Sequence, residues 1–376
     1  MADIMIAASA NTPTIAAFRN IQFVAAFTDG TSSTINAVTL STGGAAAGNQ
    51  FRVNVPTDVN PTRMLPAIVE CAAGFVIAWI EHGPDLVANV KLRIFDADTL
   101  SPGNEIQVNT TPVDLNQPPA LARLTDGGFV VVWADVSPDA RIRAQRFDAL
   151  GNRNGPDFRA NSVAGLHRRP IVAVLSNGSI VIGWLARGTG PLQVRFQIFD
   201  ATAAPVGGER AVGGATMAAV TALDSGRFVI AHVRSPADGE ILDKTIVMVD
   251  VFEPTGAASG NTTAVTDEQA ILSDWPRLAP LPGGRFLVTW TQGGTAPAPA
   301  LPDVEARIFS DTQGPLGQIS QLNTTTGGLR FSLCAATALG TGAGAVVLAA
   351  WASSDVNLSG IGVFGTAIPA PATGGF

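Results

Sequence analysis

Apolar residues along the chain fall in short runs that recur at nearly constant intervals. The run Gly127-Gly128-Phe129-Val130-Val131-Val132-Trp133 is the template. Phe75 to Trp79, Ile180 to Trp184 and Phe286 to Trp290 each place an apolar residue four positions before a Trp. Phe228 to His232 and Phe23 to Phe27 keep the spacing with the Trp replaced, and Val347 to Trp351 keeps it with the Phe replaced. The anchors are therefore 27, 79, 133, 184, 232, 290 and 351, separated by 52, 54, 51, 48, 58 and 61 residues. A period of about 50 residues is the mark of a repeat architecture.

The order of elements within a unit is constant. A Pro sits about ten residues ahead of the Phe position (Pro13, Pro66, Pro119, Pro170, Pro276), where a first strand can tolerate its missing N–H. A glycine turn follows, such as Asp126-Gly127-Gly128, and then the Phe-to-Trp strand, which is apolar on both faces as a doubly covered strand must be. A third strand alternates and ends in motifs such as Arg93-Ile94-Phe95-Asp96 and Gln145-Arg146-Phe147-Asp148. A short fourth strand closes the unit: Phe51 to Asn54, Ile106 to Asn109, Phe158 to Asn161 and Ile319 to Asn323. Seven such units predict an all-β fold, a seven-bladed β-propeller of four-stranded antiparallel blades. Sandwich arrays are the rival, but a sandwich needs roughly 100 residues.

Because blades bury their faces only against neighbours, residues 1–376 are expected to form a single domain. The last unit lacks a fourth strand, and the N-terminus has a spare one in Ile4-Met5-Ile6-Ala7. Residues 3–9 are therefore expected to supply the outer strand of blade 7 and close the ring, with 367–376 a flexible tail.

Charge narrows the partners. A net charge of −7, a pI of about 5.0 and 14% charged residues argue against nucleic-acid binding, which needs a concentrated basic surface. Only Lys91 and Lys244 are lysines and Tyr is absent, a bias of GC-rich bacterial genomes. The start has no basic and apolar signal segment, and the longest apolar run, near Gly344 to Ala352, is too short to span a bilayer. The expectation is a soluble bacterial protein with no membrane span, compatible with export that needs no N-terminal signal. Cys71 and Cys334 fall on innermost strands of non-adjacent blades and read as two buried free thiols.

The usual catalytic signatures are missing. The three His (His82, His167, His232) show no metal spacing, and no nucleophile elbow, Walker loop or dinucleotide fingerprint is present. His232 takes the anchor place of blade 5 and reads as a packing residue. Asp96-Ala97-Asp98 comes nearest to a calcium loop but lacks a closing bidentate Glu, and the Asp residues of these turns (Asp96, Asp148, Asp200) read as turn formers. No cofactor or metal is expected.

Geometry gives the better lead. In such a blade, the blade-to-blade connections and the loops after the Trp anchors emerge on one face, with the connections nearest the central channel. They carry Asn60, Arg63, Asn116, Gln117, His167, Arg168, Arg169, Ser273, Asp274, Trp275 and Arg330. Arg63, His167, Arg168, Arg169, Asp274, Trp275 and Arg330 are the candidate ligand-binding set, since a concave mouth with convergent polar groups is the default site. Arginine planes and Trp275 suit a sugar, a carboxylate or a phosphate. The loops Glu81 to Asp85, Asp135 to Asp139, Ser235 to Asp243 and Gly293 to Pro302 form the outer part of this face, the last being long enough to fold over the mouth.

The units 127–133, Gln145 to Asn152 and Ile106 to Thr111 resemble a repeat of large bacterial surface and exported proteins, some of which carry haemolysin-type calcium-binding arrays. The likeness runs from about residue 12 to 366 and implies a bacterial propeller. The glycine-rich nonapeptides that bind calcium in such proteins are absent here. Seven-bladed bacterial lectins are similar in architecture, with sugar sites between blades. The leading expectation is a binding module for a glycan, small ligand or protein, favoured if several blades offer near-equivalent sites with exposed Trp anchors. An enzyme (lyase, lactonase or hydrolase) is the alternative, using His82 or His167 with Arg168, Arg169 and Asp274 in one asymmetric pocket. A scaffold is the third reading.

Overall fold

Each Phe-to-Trp stretch is a strand buried along its length, because a sheet covers it on either face. The computed structural model describes residues 3–18, 22–57, 61–137, 141–188, 190–234, 245–266, 271–293, 302–324, 329–339, 345–354 and 361–369. Asn60, Asp139, residues 235–243, 294–301 and the tail from 370 lie outside them. The side chains of Arg330 and Cys334 are likewise not described, although both residues are in a strand.

β1 (Ile4–Ala7) begins the chain. The first sheet is β2 (Ala10–Phe18), β3 (Gln22–Asp29), β4 (Ile35–Leu40) and β5 (Phe51–Arg52). The second is β6 (Thr62–Cys71), β7 (Gly74–His82), β8 (Ala88–Asp96) and β9 (Ile106–Gln107). The third is β10 (Ala120–Arg123), β11 (Phe129–Ala134), β12 (Ile142–Phe147) and β13 (Phe158–Arg159). A seven-stranded sheet follows: β14 (Leu166–Val174), β15 (Ile180–Arg187), β16 (Gln193–Phe199), β17 (Pro205–Ala222), β18 (Phe228–Arg234), β19 (Ile246–Phe252) and β20 (Ala258–Ala264). Next come β21 (Ile271–Leu281), β22 (Arg285–Gly293), β23 (Asp303–Ser310) and β24 (Gly314–Gln321). The last sheet has the order β1-β27-β26-β25, with β25 (Leu329–Leu339), β26 (Val346–Ser354) and β27 (Gly362–Pro369).

The fold is thus an all-β propeller of four-stranded antiparallel blades, but five of them, not seven. Where the repeat predicts separate fourth and fifth blades there is one sheet, joined through the 18-residue β17. Pro205 to Gly214 of β17 pair with β16, and Ala215 to Ala222 pair with β18.

A single side chain accounts for the difference. Asn54, Asn109, Asn161 and Asn323 each turn Oδ1 onto a backbone N–H of the third strand (Ile35, Val90, Ile142, Val304) at 2.6–3.0 Å. Thr266 does the same to Val247 at 3.2 Å. The side chain takes the next ladder bond, so the outer strand stops there. Arg143 pairs with Arg159 and Arg195 with Ala211, which makes Gly213 the counterpart of Asn161. Gly213 has no acceptor to offer. The backbone continues the ladder instead, Ala215 N donating to Leu192 O at 2.9 Å.

The ring closes between the two ends of the chain. Ile4, Met5 and Ala7 of β1 pair with Gly365, Phe364 and Val363 of β27. Asp3 Oδ1 accepts from Thr324 N at 2.8 Å across the neighbouring sheet. Glu209 reaches back in the same way to the N–H groups of Ser162 and Val163, and Glu105 to that of Val55. Around the axis each inner strand lies against the next: β2, β6, β10, β14, β17, β21, β25 and β2 again. Apolar cores fill each gap, for example Trp79 against Val53 and Ile35, and Trp351 against Leu322 and Val304. No helix among the described residues is long and apolar enough to cross a membrane.

Candidate functional site at the central mouth

The inner strands share a kink that the sequence encodes with proline. The residue before a Pro is pushed away from the right-handed helical region, and a Pro inside a strand removes a ladder donor, so X-Pro within a paired strand makes a bulge. The register slips between Asn11 and Thr14, Met64 and Ala67, Arg168 and Ile171, and Asp274 and Arg277. At each slip the pre-proline residue takes a positive φ: Thr12 48°, Leu65 56°, Arg169 53°, Trp275 53°. Non-glycine residues held there store backbone strain, and such strain clusters at functional sites.

Two of these bulge residues meet. Arg169 on β14 and Trp275 on β21 are separated by the whole of β17, yet the Arg169 guanidinium carbon lies 5.2 Å from the Trp275 ring centre. Between them Arg169 Nη1 contacts Met217 Sδ on β17 at 2.9 Å. The backbone N–H that the bulge frees at Arg169 donates to Gln117 Oε1 of the preceding sheet at 2.9 Å. The Arg169 guanidinium therefore meets side chains of two other inner strands, while a third connection holds its backbone.

Asp274 is the carboxyl that acts on Arg169 among the described residues. Its Oδ1 accepts from Trp275 N at 2.9 Å, and its carbonyl oxygen accepts from Thr291 Oγ1 at 3.1 Å. Burial pushes its carboxyl above the ordinary aspartate range, against the pull of the Trp275 N–H, Arg169 and Arg277. Burial also lowers Arg169, and Arg168 and Arg277 push the same way, while Asp274 opposes them. A half-buried carboxyl that burial raises while two arginines pull it down is the kind of perturbed group that marks a candidate site.

Of the candidate residues, Arg169 touches Trp275, and Arg168 and Asp274 lie near enough to act on its charge. Arg63 is not among them. It is buried, its Nε bound to Glu81 at 2.8 Å and its Nη2 to Thr57 Oγ1 at 3.1 Å, so it holds the face together. His167 is also buried and packs edge-on against Trp184, with Nε2 on Val163 O at 2.9 Å. Its charged neighbours are Glu209, Arg159 and Arg195 on the outer side, and burial lowers its pKa. His82 turns Nδ1 to Gly83 O at 2.9 Å. Neither histidine joins Asp274, so the His-based constellation is not assembled.

Two residues of the cluster escaped the sequence reading: Met217 and Arg277. Met217 lies eleven positions before Phe228, as Thr12, Arg169 and Trp275 lie eleven before Phe23, Ile180 and Phe286. The spacing marks Met217 although no Pro follows it. The Trp anchors are buried between sheets and offer no stacking surface. The turn aspartates are committed as well: Asp96 Oδ1 accepts from Asp98 N, Thr99 N and Thr99 Oγ1, each at 2.9 Å.

No family model and no curated protein sequence matches this chain, so the bacterial repeat family has no support beyond the fold. Solved structures resemble it in shape. An ulvan lyase of a polysaccharide lyase family is 10% identical, with a TM-score of 0.59 over 98% of this chain and 95% of its own. The α-L-arabinofuranosidase of Fusarium graminearum, in complex with arabinobiose, is 11% identical, with a TM-score of 0.56 over 84% and 96%. A Dyadobacter fermentans protein of unknown function is 13% identical, with a TM-score of 0.53 over 98% and 97%. At these identities the likeness extends to the propeller fold.

Proposed function

We propose that the chain is a glycan-active propeller enzyme that takes a saccharide at the central mouth. The observation that carries this reading is that Arg169 meets Trp275 from a non-adjacent inner strand, with Asp274 close enough to act on its charge. Trp275 offers an aromatic face for a sugar ring, Arg169 and Arg168 bind oxygen, and Asp274 is the acid–base candidate. Among the described residues this arrangement is not repeated at the other proline bulges, Thr12 and Leu65, which suits turnover better than the repeated blade sites of a lectin. The resemblance to a polysaccharide lyase and an arabinofuranosidase points to the same substrate class.

A binding module without turnover is the second reading. It is favoured by Asp274 being the carboxylate that acts on Arg169, with no second one beside it among the described residues. Glycosidases ordinarily pair two.

Incubation with a polysaccharide panel separates the two readings. Hydrolysis adds water across the glycosidic bond and leaves a new reducing end. Elimination removes the C5 proton of a uronate and leaves an unsaturated non-reducing end. New reducing ends, with or without unsaturated-uronate absorbance, are expected from the wild type and are expected to be lost in Asp274→Asn. Saturable binding with no chain cleavage supports the module instead.

A further inference from the structure

The arginines of this chain are not all placed alike. Arg63 pairs with Glu81, Arg123 with Glu70, Arg143 with Asp157, Arg195 with Glu209 and Arg227 with Glu253, each at 2.6–3.1 Å. Arg169 breaks this habit. Among the described residues its guanidinium touches a thioether and an indole face. A thioether is a weak acceptor, and a half-buried cation without a bonded anion is costly. The charged groups acting on it are Arg168 and Arg277, which repel it, and Asp274, which lies beyond ion-pair distance. Arg168 adds a buried Nε without a partner. Among the described residues, Arg169 thus feels two cations and one carboxyl and has no bonded anion, in a chain whose net charge is −7.

We infer that the saccharide taken at the mouth is acidic, with its carboxylate or sulfate oxygens held by Arg169 and the flanking Arg168 and Arg277. This rests on the mouth being the saccharide site. The ligand supplies the anion that the chain withholds, and a planar guanidinium matches either oxyanion with two parallel hydrogen bonds. Trp275, under Arg169, then fixes the guanidinium plane while the sugar ring lies alongside. Protonation of Asp274 on acidification removes the carboxylate charge that opposes the ligand among the described residues, so acid-ligand affinity rises as pH falls through its raised pKa, until the ligand itself protonates.

Calorimetry on the full chain tests this with matched probes. Uronate oligosaccharides are titrated beside their carboxyl-reduced twins and beside sulfated neutral oligosaccharides, for wild type, Arg169→Gln, Arg169→Lys and Arg277→Gln. Each variant is first checked by thermal melting. Wild type is expected to prefer an acidic probe over its neutral twin by at least about tenfold, as a charge-assisted hydrogen bond provides. Arg169→Gln should abolish that preference and Arg169→Lys should keep part of it. Which acidic probe binds identifies the anion. Equal binding of acidic and reduced probes, lost in Trp275→Ala, would overturn the acidic ligand and leave the site standing. If no saccharide binds and none is cleaved, both readings fall. Should Arg169→Gln not fold, Arg277→Gln takes its place: a weakened preference supports the acidic ligand, and an unchanged one overturns it.

Discussion

Two inner-strand heads, one in the second sheet and one in the fourth, share a backbone and differ in what they do. In the second, Arg63 lies opposite Glu81 and the bulge residue before Pro66 is Leu65. In the fourth, His167 lies opposite Ala186 and the bulge residue before Pro170 is Arg169. Arg63 and His167 are therefore equivalent, as are Leu65 and Arg169. An arginine two places before the bulge residue packs into the face between sheets and is neutralised by its partner. An arginine at the bulge lies against Trp275 and Met217 and has no bonded anion among the described residues. The repeat supplies a common strained scaffold, and register against the proline decides whether a charge is structural or available to a ligand.

Removing Arg63 should have the largest effect, and on stability. Arg63→Ala leaves Glu81 without its buried partner and should cost about 3–5 kcal/mol in chemical denaturation, while the folded fraction keeps its saccharide affinity. Affinity lost along with stability would place Arg63 in the site and erase the contrast. Arg169→Ala should do the reverse. A loss of roughly 100-fold in binding or kcat/KM is expected, with denaturation midpoints almost unchanged. Leu65→Ala should leave binding within about threefold, because its bulge carries no polar group.

The same logic applies at the outer edge, where Asn161 stops a strand and Gly213 lets one run on. Asn161→Ala strands the buried Ile142 N–H and should cost about 1–3 kcal/mol. Gly213→Ala should also destabilise, because its φ of 155° disfavours a side chain. A neutral Asn161→Ala would show that the amide does not end the strand.

The propeller was legible because period, proline spacing and turn glycines all describe local backbone. The joined sheet was not, since it depends on one missing Asn whose partner lies 19 residues earlier in the chain. Arg168, Arg169, Asp274 and Trp275 were legible as candidates through their chemistry, although they lie in strands β14 and β21 and not in connections. Arg63 and His167 shared that chemistry and were misplaced by two positions of register. The convergence of Arg169 with Met217 and Trp275 required strands about 50 and 100 residues apart to meet, which no local pattern states.

The smallest expected effect concerns a position that differs from its counterparts. Lys91, Arg143 and Arg195 stand opposite Trp79, Trp133 and Trp184, whereas Glu305 stands opposite Trp290. Burial, reinforced by the Asp303 charge and eased by the Trp290 N–H, pushes the Glu305 carboxyl up to about 7. A glutamate in the unfolded chain titrates at about 4.3. Between these values the folded protein holds a proton that the unfolded chain has released, so this group lowers stability as pH rises through that window. Above pH 7 both states are ionised and the penalty is constant; below about pH 4 it vanishes. Glu305→Gln removes it. Wild type and variant should melt together near pH 4.5 and separate progressively up to pH 8, the variant ending about 2 °C or more higher. Parallel curves would mean that Glu305 is ionised in the folded protein across this range and that burial does not hold its proton.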